Sequence, residues 1–365
     1  MTVTPRRIAL MLESDGPGGA ETMLLQLAEE LRRRGHDVTC VGPDNGCGWL
    51  GGELRRRGFT TEVFTLRRPL DPACLRGMVA MLRRLRIDVV HSHEFTMAIY
   101  GAAAARQLGI PHVITMHGSE KVLARWQRRL ALRLAFASSR AVVAVSRATH
   151  AHLVKTMRMS PDSVLTIPNG ITFTPGTRAT VRTELGLSGE NVLVVAVGNL
   201  VPRKGHIHLL RALAALGNDR WHVAIAGRGD EERRLRAFAA EAGVAGRVHL
   251  LGHRGDVPDL LAAADVYAMP SLWEGLPMAL LEAMFAGKAI VASRASGIPE
   301  AIEEEVQGLL ADPGDEAQLQ AALVRLLTDA GLRQRLGEAA RRRAQTEFSA
   351  AVMTDAYERA FGIRP

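Results

Sequence analysis

The sequence predicts an α/β protein of two doubly wound domains, because its length fits two domains and both halves show the same alternation of strands and helices. The chain has 365 residues, and a typical domain has about 150. Strands that alternate with helices pair in parallel and form sheets covered on both faces. Ligands bind such sheets beyond the carboxyl ends of the strands, so we expect two edges facing each other across one cleft.

The first half opens with a predicted buried strand over 8–12 and an amphipathic helix over 20–34. Gly35 follows that helix and is a typical C-terminal stop. Helical patterns lie between most of the apolar runs that come after it, which indicates crossover connections between parallel strands. The further predicted strands of this half are 38–41, 62–64, 88–91, 112–115 and 141–145.

Turn-forming residues at 166–170 and 175–176 separate the two halves, and we interpret this stretch as a linker. The expected domains are therefore 1–170 and 171–345. In the second half we predict strands at 192–197, 221–226, 248–250, 266–269 and 289–292, and helices at 207–216, 231–240, 257–263, 278–286 and 316–328.

The composition excludes several classes of protein. Hydrophobic residues make up 47% and charged residues 23%, which excludes wholesale disorder, and no apolar run approaches the ~20 residues of a membrane-spanning helix. Cys40, Cys47 and Cys74 match no zinc or redox spacing, and we expect a reducing cytoplasm. The net charge of +8 leaves nucleic acid, an anionic membrane or an anionic small substrate as partners.

Much of the positive charge lies in arginine runs such as 32–34, 55–57 and 341–343. Such runs are typical of solvated helix faces and point to no ligand by themselves. Aromatic residues are only 4% of the chain, which disfavours base stacking with single-stranded nucleic acid.

A glycine-rich turn follows the first strand, with Gly18 and Gly19 directly before the first predicted helix. Glycines allow backbone N–H groups to approach an anion, and a helix N-terminus carries partial positive charge. The spacing fits neither a dinucleotide-binding nor a P-loop motif. A plain tight turn and a phosphate contact therefore both remain open for this segment.

Two adjacent cations, Arg203 and Lys204, lie between a buried strand and a helix in the second half. Cations at a helix N-terminus are unfavourable with the helix dipole unless an anion lies between them and the exposed N–H groups. This favours a phosphate, and especially a diphosphate, over a solvated pair of side chains.

A second segment, 273–283, carries Glu274 just before a predicted helix and Glu282 within it. Pro277 fits the first turn of that helix and Gly287 its C-terminal stop. A carboxylate offers two acceptor oxygens, so one group could hold sugar hydroxyls and the other a ribose. The alternative is an ordinary amphipathic helix preceded by an acid that the helix dipole favours.

Histidines stand at the ends of two strands of the first half. His117 follows the strand at 112–115, where it would face the cleft, although a lone histidine is more often structural. His91 and His93 are spaced as for a metal, but no third ligand is evident.

Taken in order, these segments resemble a retaining glycosyltransferase of family four, which has the GT-B fold of two Rossmann-like domains facing across a cleft. The similarity covers about residues 8–343. It is carried by the segments 18–21, 34–38, 88–93, 115–118, 145–146, 167–170 and 203–205 and by the pair Glu274 and Glu282.

The resemblance implies that a nucleotide-diphosphate sugar, linked to UDP or GDP, binds mainly to the second domain and the acceptor mainly to the first. It implies diphosphate contacts from Arg203 and Lys204, ribose binding by Glu282 and contact of Glu274 with the transferred sugar. The last helix, within 346–365, is expected to cross back to the first domain. The other implied site residues are Gly275, Leu276 and Pro277 beside the sugar and phosphate, Gly18 and Gly19 over the diphosphate, His117 at the reactive face of the sugar, and Arg254 in the segment that holds the base.

The chain departs from the family pattern in two places. Asn199 stands where many relatives have an arginine, and the segment after Gly170 lacks an aspartate that often follows. We expect Lys204, Arg203 and the helix start near Gly275 to stabilise the departing diphosphate, so neither a metal nor another cofactor is required. For the retaining reaction we favour attack on the same face, since no nucleophile is evident.

Two rival functions remain open from the sequence. One is a nucleotide-sugar epimerase of the same fold, and the other is a non-catalytic, basic nucleic-acid-binding protein, although no nucleic acid is expected. The acceptor is expected to be a glycan, a lipid-linked sugar or a small molecule. The basic stretch 121–133 either contacts an anionic membrane or packs on its own domain with its arginines outward, and the second is the more usual arrangement.

Overall fold

The computed structural model describes residues 4–43, 48–118, 125–217 and 220–363. The chain forms two compact units, Met1–Ile171 with Ser349–Pro365, and Thr172–Phe348. We refer to them as unit 1 and unit 2. The described part of the chain has no helix that is both long enough and apolar enough to cross a membrane.

Unit 1 contains a seven-stranded sheet in the order β3-β2-β1-β4-β5-β6-β7, with all neighbouring strands parallel. Every residue of β4 and β5 is buried, as both faces of a covered parallel sheet require. The strands are β1 (Arg7–Met11), β2 (Asp37–Pro43), β3 (Thr60–Phe64), β4 (Val89–His93), β5 (His112–Met116), β6 (Ala141–Ala144) and β7 (Val164–Thr166). The helices that precede β7 are α1 (Gly19–Arg33), α2 (Trp49–Arg56), α3 (Pro72–Arg84), α4 (Glu94–Leu108), α5 (Trp126–Ala137) and α6 (Arg147–Met157).

Unit 2 repeats this topology with a six-stranded parallel sheet in the order β10-β9-β8-β11-β12-β13. Its strands are β8 (Val192–Val197), β9 (Trp221–Ala226), β10 (Val248–Gly252), β11 (Val266–Met269), β12 (Ala289–Ser293) and β13 (Gly308–Ala311). Its helices are α7 (Arg178–Glu184), α8 (His206–Ala214), α9 (Glu232–Glu241), α10 (Val257–Ala263), α11 (Met278–Phe285), α12 (Ile298–Ala301), α13 (Glu316–Thr328) and α14 (Ala330–Glu347). Both sheets thus have the doubly wound order, which confirms the predicted fold class of two Rossmann-like halves.

The chain order reverses between β1 and β4 in unit 1 and between β8 and β11 in unit 2. At such a switch point the loops that follow the two central strands diverge to opposite faces of the sheet and leave a crevice at the carboxyl edge. In unit 2 these are the loops that carry Lys204 and Glu274. The topology therefore predicts a ligand site at this edge of the unit 2 sheet.

The last helix of the structure, α15 (Ala350–Phe361), packs in unit 1, where Arg34 of the 32–34 run anchors it. The Arg34 guanidinium donates to Glu30, Asp355 and Glu358, and His36 Nε2 lies 3.0 Å from the fully buried Glu358. Our prediction that this run is a solvated helix face is therefore wrong for Arg34, because α15 covers it and supplies two carboxylates.

Each strand predicted from the sequence is present with ends that differ by at most two residues, but β7 and β13 were not predicted. The predicted strand at 88–91 in fact runs on to His93, so both His91 and His93 are strand residues with fully buried side chains. Thr166, which we assigned to the linker, is the last residue of β7, and the boundary between the two units follows Ile171.

Candidate active site

The candidate site in unit 2 lies where two loops meet at the switch point. The loop after β8 contains the single 3-10 turn Pro202–Lys204, and the loop after β11 leads to α11. The Leu272 N–H donates to the Arg203 carbonyl at 2.8 Å and ties the loops together. Gly205 has φ +65°, and a Cβ atom there would collide with the Pro270 carbonyl oxygen. Only glycine therefore allows this approach at this backbone conformation.

Lys204 and Glu274 form a direct ion pair across these loops. The Lys204 ammonium donates to Glu274 Oε1 at 2.6 Å, and the two side chains are 16% and 7% exposed. The sequence placed both residues near the donor but did not predict that they contact each other. In this state the Glu274 carboxylate occupies one face of the cation that was expected to meet a phosphate.

The start of α11 follows Glu274 closely in the chain. Pro277 is the N-cap residue and the helix begins at Met278, so our placement of Pro277 in the first helical turn was off by one position. Gly287 follows the helix with φ +67°, as its C-terminal stop requires. Gly275, Leu276 and Pro277 are all buried and directly follow Glu274. The positive end of the helix dipole is therefore on the same segment as the ion pair.

Glu282 lies one turn further into α11, and its carboxyl group is the most strongly perturbed acid of the site. Burial raises the pKa of Glu282 to about 7. Burial, aided by the Glu282 and Glu274 carboxylates, also holds the pKa of the Tyr267 hydroxyl well above its usual range. Tyr267 on β11 is completely buried and lies close enough to Glu282 and Glu274 to interact with their charges. A hydroxyl group of a ligand can donate a hydrogen bond to the Glu282 carboxylate.

Two further groups complete the loop after β8. The Arg203 guanidinium lies 5.6 Å from the centre of the Trp273 ring, so a cation–π contact orients this exposed side chain. His206 is buried at the start of α8, and burial together with the Lys204 charge lowers its pKa to about 4. His206 is therefore neutral at physiological pH and adds no charge beside Lys204.

The Arg254 side chain is engaged elsewhere in unit 2. Its guanidinium donates to both Glu184 and Asp256, with the shortest bond 2.6 Å long. These acids satisfy the guanidinium, so a ligand near residues 251–254 would meet backbone atoms, as the resemblance implies for the base.

In unit 1, Gly18 is the N-cap residue of α1 and Gly19 is its first residue, and the segment around them is acidic as well as glycine-rich. The buried Glu21 carboxylate packs directly against Gly18, and burial raises the pKa of Glu21. Thr22 caps the turn by donating to the Gly18 carbonyl. A raised pKa lets Glu21 carry a proton more readily than an exposed acid, which reduces its repulsion of an anion at this turn.

His117 follows β5 and is half-buried, next to the fully buried His93. Its Nε2 shares a hydrogen bond of 2.9 Å with His93 Nδ1, and its backbone N–H donates to Glu94 Oε1. Burial lowers the pKa of His117 to about 4, so the ring is neutral at physiological pH. Nε2 is thus engaged, and among the described residues Nδ1 has no hydrogen-bond partner, so Nδ1 is the ring atom open to a ligand.

His91 is held by structural partners. Its Nε2 shares a hydrogen bond with Thr115, which in turn bonds the Tyr357 hydroxyl on α15. Within the described ranges, no group of three or more His, Cys, Asp or Glu residues is arranged to hold a metal ion. The described cysteines, Cys40 and Cys74, are buried free thiols, and Cys47 lies outside the described residues.

Sequence reasoning missed four residues of these sites: Tyr267 and His206 in unit 2, and Glu21 and Glu94 in unit 1. Glu94 begins α4 with φ +64°, a conformation that non-glycine residues rarely adopt. Only Glu21 could have been identified from the sequence, because it closely follows the glycine-rich turn. The other three, on a strand and at two helix starts, become evident only when the strand order brings these elements together.

Two family models match nearly the whole chain. The model described as Glycosyltransferase Family 4 matches residues 17–174, and the model described as Glycosyl transferases group 1 matches residues 177–343. The alpha-maltose-1-phosphate synthase of Mycobacterium tuberculosis is 31% identical over 96% of this chain and 97% of its own length. The chain belongs to glycosyltransferase family 4. It is a glycosyltransferase.

Other relatives of this glycosyltransferase are named for different specificities. The D-inositol 3-phosphate glycosyltransferase of Saccharomonospora viridis is 30% identical over 97% of this chain and 93% of its own length. The UDP-Gal:alpha-D-GlcNAc-diphosphoundecaprenol alpha-1,3-galactosyltransferase of Escherichia coli is 27% identical over 85% of each chain. The acceptors in these names range from an inositol phosphate to a lipid-linked sugar, so membership of the family leaves the acceptor open.

The solved structures agree on the fold. The Anabaena protein Alr3699/HepE, in complex with UDP and glucose, has a TM-score of 0.85 with 24% identity, covering 98% of this chain and 99% of that one. WaaG, a glycosyltransferase involved in lipopolysaccharide biosynthesis, has a TM-score of 0.72 with 22% identity, covering 97% and 100%. At these identities the likeness establishes the GT-B fold of the glycosyltransferase and nothing finer.

Proposed function

We propose that this glycosyltransferase moves a sugar from a UDP- or GDP-linked donor to an acceptor hydroxyl, with retention of anomeric configuration and without a metal ion. The observation that carries the proposal is the shielded Lys204–Glu274 pair at the switch point of unit 2. It joins a cation, a carboxylate and a helix start within two adjoining loops. This combination suits a ligand that has both a diphosphate and sugar hydroxyls.

The donor would displace part of the ion pair. A diphosphate oxygen offers Lys204 a second anionic partner, with Arg203 approaching from the exposed side of the loop. The Glu274 carboxylate is then free to accept hydroxyls of the transferred sugar, with the backbone of Gly275 and Leu276 beside it. Pro277 donates no N–H, so the first donors of the helix itself are those of Met278 and its successors.

Glu282 would hold the ribose of the donor. The two hydroxyls of a ribose can donate to the two oxygens of one ionised carboxylate. Arg254 would contribute through its backbone segment to binding of the base, because its guanidinium is already bonded to acids.

Unit 1 would supply the acceptor side. We assign Gly18 and Gly19 to the diphosphate and His117 to the reactive face of the sugar. A neutral His117, with Nε2 bonded to His93, has Nδ1 left to exchange a hydrogen bond with a sugar hydroxyl. The proposed catalytic residues are His117, Glu274 and Lys204.

In the proposed step, the bond from the anomeric carbon to the phosphate oxygen breaks and its electron pair goes to the diphosphate. The acceptor oxygen attacks the same face, and its proton passes to the leaving phosphate oxygen. Lys204 and Arg203 stabilise the negative charge that grows on the diphosphate, which is the function a metal ion serves in other transferases. We further place the reaction in the cytoplasm, which the buried free thiols of Cys40 and Cys74 support.

The test is a thermal-shift panel of UDP-, GDP- and ADP-linked sugars in the presence of EDTA, because a ligand of the native state raises its apparent stability. The donor that gives the largest shift is then incubated with candidate glycan, lipid-linked and sugar-phosphate acceptors. Proton NMR of the product should show the anomeric configuration of the donor. Inversion at that carbon, or activity that EDTA abolishes and a divalent ion restores, would overturn the corresponding part of the proposal.

The same panel separates the rival functions. An epimerase would convert the nucleotide sugar with no acceptor present. A nucleic-acid-binding protein would show no shift with any nucleotide sugar and would bind DNA or RNA with steep salt dependence.

A further inference from the structure

Helix α5 of unit 1 exposes three large apolar side chains in a line. Trp126, Leu130 and Leu134 are 64%, 52% and 68% exposed. Because they are spaced by four residues, they lie above one another on one face of the helix. We call these three residues the α5 stripe. Single exposed apolar side chains are ordinary, but a continuous row of three on one helix needs a partner.

The α5 stripe is not required to hold the helix in place. The opposite face buries Leu132, Ala135 and Phe136 in the core of unit 1. Arg133 also donates to the Met157 carbonyl and fastens α5 to α6. The helix thus packs on its own domain, as one of our two interpretations expected, while its outer face is apolar as well as basic.

The region around the stripe has an extreme charge. From Lys121 to Pro161 the sequence contains nine Lys or Arg residues and no Asp or Glu, although the whole chain has a net charge of only +8. On the helix and just before it, Arg125 and Arg129 flank Trp126 and Leu130. An apolar row between arginines, with no acid nearby in sequence, is complementary to an anionic and partly apolar surface.

We propose that α5 docks unit 1 on an anionic lipid bilayer, with the α5 stripe inserted at the level of the headgroups and the flanking arginines on lipid phosphates. A tryptophan with leucines on one face and arginines beside them is the composition of an interfacial helix. Nucleic acid would use the arginines but would leave the leucines exposed to water. A bilayer satisfies both sets of groups, so it is the occupant that the surface fits.

Docking of this kind goes beyond the proposed transfer reaction, since it needs no donor and no catalysis. It places the first unit, which we assign to the acceptor, against a membrane. The acceptor class that follows is a lipid-linked sugar whose hydroxyls reach the enzyme from the headgroup layer.

Binding to vesicles tests the docking directly. The full chain is sedimented with vesicles of phosphatidylglycerol and phosphatidylcholine, and separately with vesicles of phosphatidylcholine alone. The parent protein should bind the anionic vesicles and bind the neutral ones far more weakly. Trp126 fluorescence should shift to the blue on binding, and the shift should disappear in Trp126→Phe.

Matched variants distinguish the contribution of the α5 stripe to vesicle binding from non-specific adsorption of exposed apolar residues and from the contribution of the arginines. Trp126→Gln/Leu130→Gln/Leu134→Gln should abolish binding, whereas Leu70→Gln/Val324→Gln/Val352→Gln, which changes three exposed apolar residues elsewhere, should retain it. Arg125→Gln/Arg129→Gln should weaken binding by roughly 20-fold, since each basic residue near an anionic surface contributes about fivefold.

Several results would contradict membrane docking. These are failure of the parent to bind anionic vesicles, unchanged binding of the α5-stripe variant, or binding to RNA that the α5-stripe variant retains while vesicle binding is absent. A nucleotide-sugar thermal shift equal to that of the parent shows that each variant is folded. Because that shift is measured without vesicles, failure of docking and failure of the proposed transfer function are distinguished.

Discussion

Lys204 Nζ donates to Glu274 Oε1 at 2.6 Å, although the two residues are 70 positions apart in the chain. The contact exists because β8 and β11 are neighbours in the sheet of unit 2, so the loops after them start side by side. Both side chains are largely shielded from water. In such a shielded environment an unpaired charge is costly. The pair therefore stabilises the fold of unit 2 as well as serving the proposed donor site.

A double-mutant cycle on this pair should show strong coupling. Lys204→Met leaves a shielded Glu274 carboxylate without its cation, and we expect a loss of about 3 kcal/mol in the free energy of unfolding of unit 2. Glu274→Gln should cost a comparable amount, whereas the double variant Lys204→Met/Glu274→Gln should recover most of it. Chemical denaturation of all four proteins measures this, and additive losses would contradict a direct pair.

The close approach of the loops should depend on Gly205. Gly205→Ala introduces a Cβ that collides with the Pro270 carbonyl, so we expect the loops to separate and donor binding to weaken. The matched control is Gly243→Ala, because Gly243 has φ +69° and open space around it. Both variants bear a backbone cost of about 1 kcal/mol, but only Gly205→Ala should lose the nucleotide-sugar thermal shift. Equal shifts in the two variants would show that the contact with Pro270 is unimportant.

Donor affinity should rise with pH through neutrality because of Glu282. Burial raises the pKa of Glu282 to about 7, and the ionised form is the better acceptor for ribose hydroxyls. Between pH 6 and 8 the ionised fraction rises about tenfold, so affinity for a nucleotide sugar should increase by nearly that factor. Calorimetric titration with the intact nucleotide sugar measures this, since its diphosphate diester does not titrate in this range.

Two controls attribute that pH dependence to Glu282. Glu282→Gln should bind with little change in affinity between pH 6 and 8, and a slope kept in this variant would exclude Glu282 as its source. In the absence of ligand, the free energy of unfolding changes with pH in the opposite direction, because the folded state holds the Glu282 proton up to a higher pH than the unfolded state does. Glu282 therefore makes the parent less stable as pH rises from about 4.5 to 7, and Glu282→Gln should remove that decline.

The anchoring of α15 should depend on Glu358 far more than on Asp355. Both carboxylates accept from Arg34 Nη1, but the Glu358 side chain is fully buried and that of Asp355 is 40% exposed. We expect Glu358→Ala to lower the free energy of unfolding of unit 1 by about 3 kcal/mol. Asp355→Ala should cost less than about 1 kcal/mol. Similar losses from the two variants, measured by denaturation, would contradict this ranking.

The sequence was sufficient for most of the secondary structure, because strands buried on both faces are continuous apolar runs such as 192–197. It failed for β7 and β13, which have only three and four residues and adjoin turns. The apolar pattern is too short there to be distinguished from a loop, and pairing with β6 and β12 makes these segments strands.

The candidate site was predictable as a set of residues but not as a set of contacts. The order of motifs pointed to Lys204, Glu274 and Glu282, whereas their geometry depends on which strands are adjacent. The same holds for the bond between His93 and His117, which joins the ends of β4 and β5. Arg34 shows the opposite error, since an arginine run of ordinary composition is covered by a helix more than 300 residues later in the chain.

The most direct measurement is the affinity of the double variant Lys204→Met/Glu274→Gln for the nucleotide sugar that stabilises the parent most. It is determined by calorimetry beside Arg236→Gln, an exposed charge in unit 2 that serves as the control. We predict that the folded double variant binds at least roughly 10-fold more weakly, while Arg236→Gln binds as the parent does. Parent-like affinity in the double variant would contradict the claim that this pair marks the donor site.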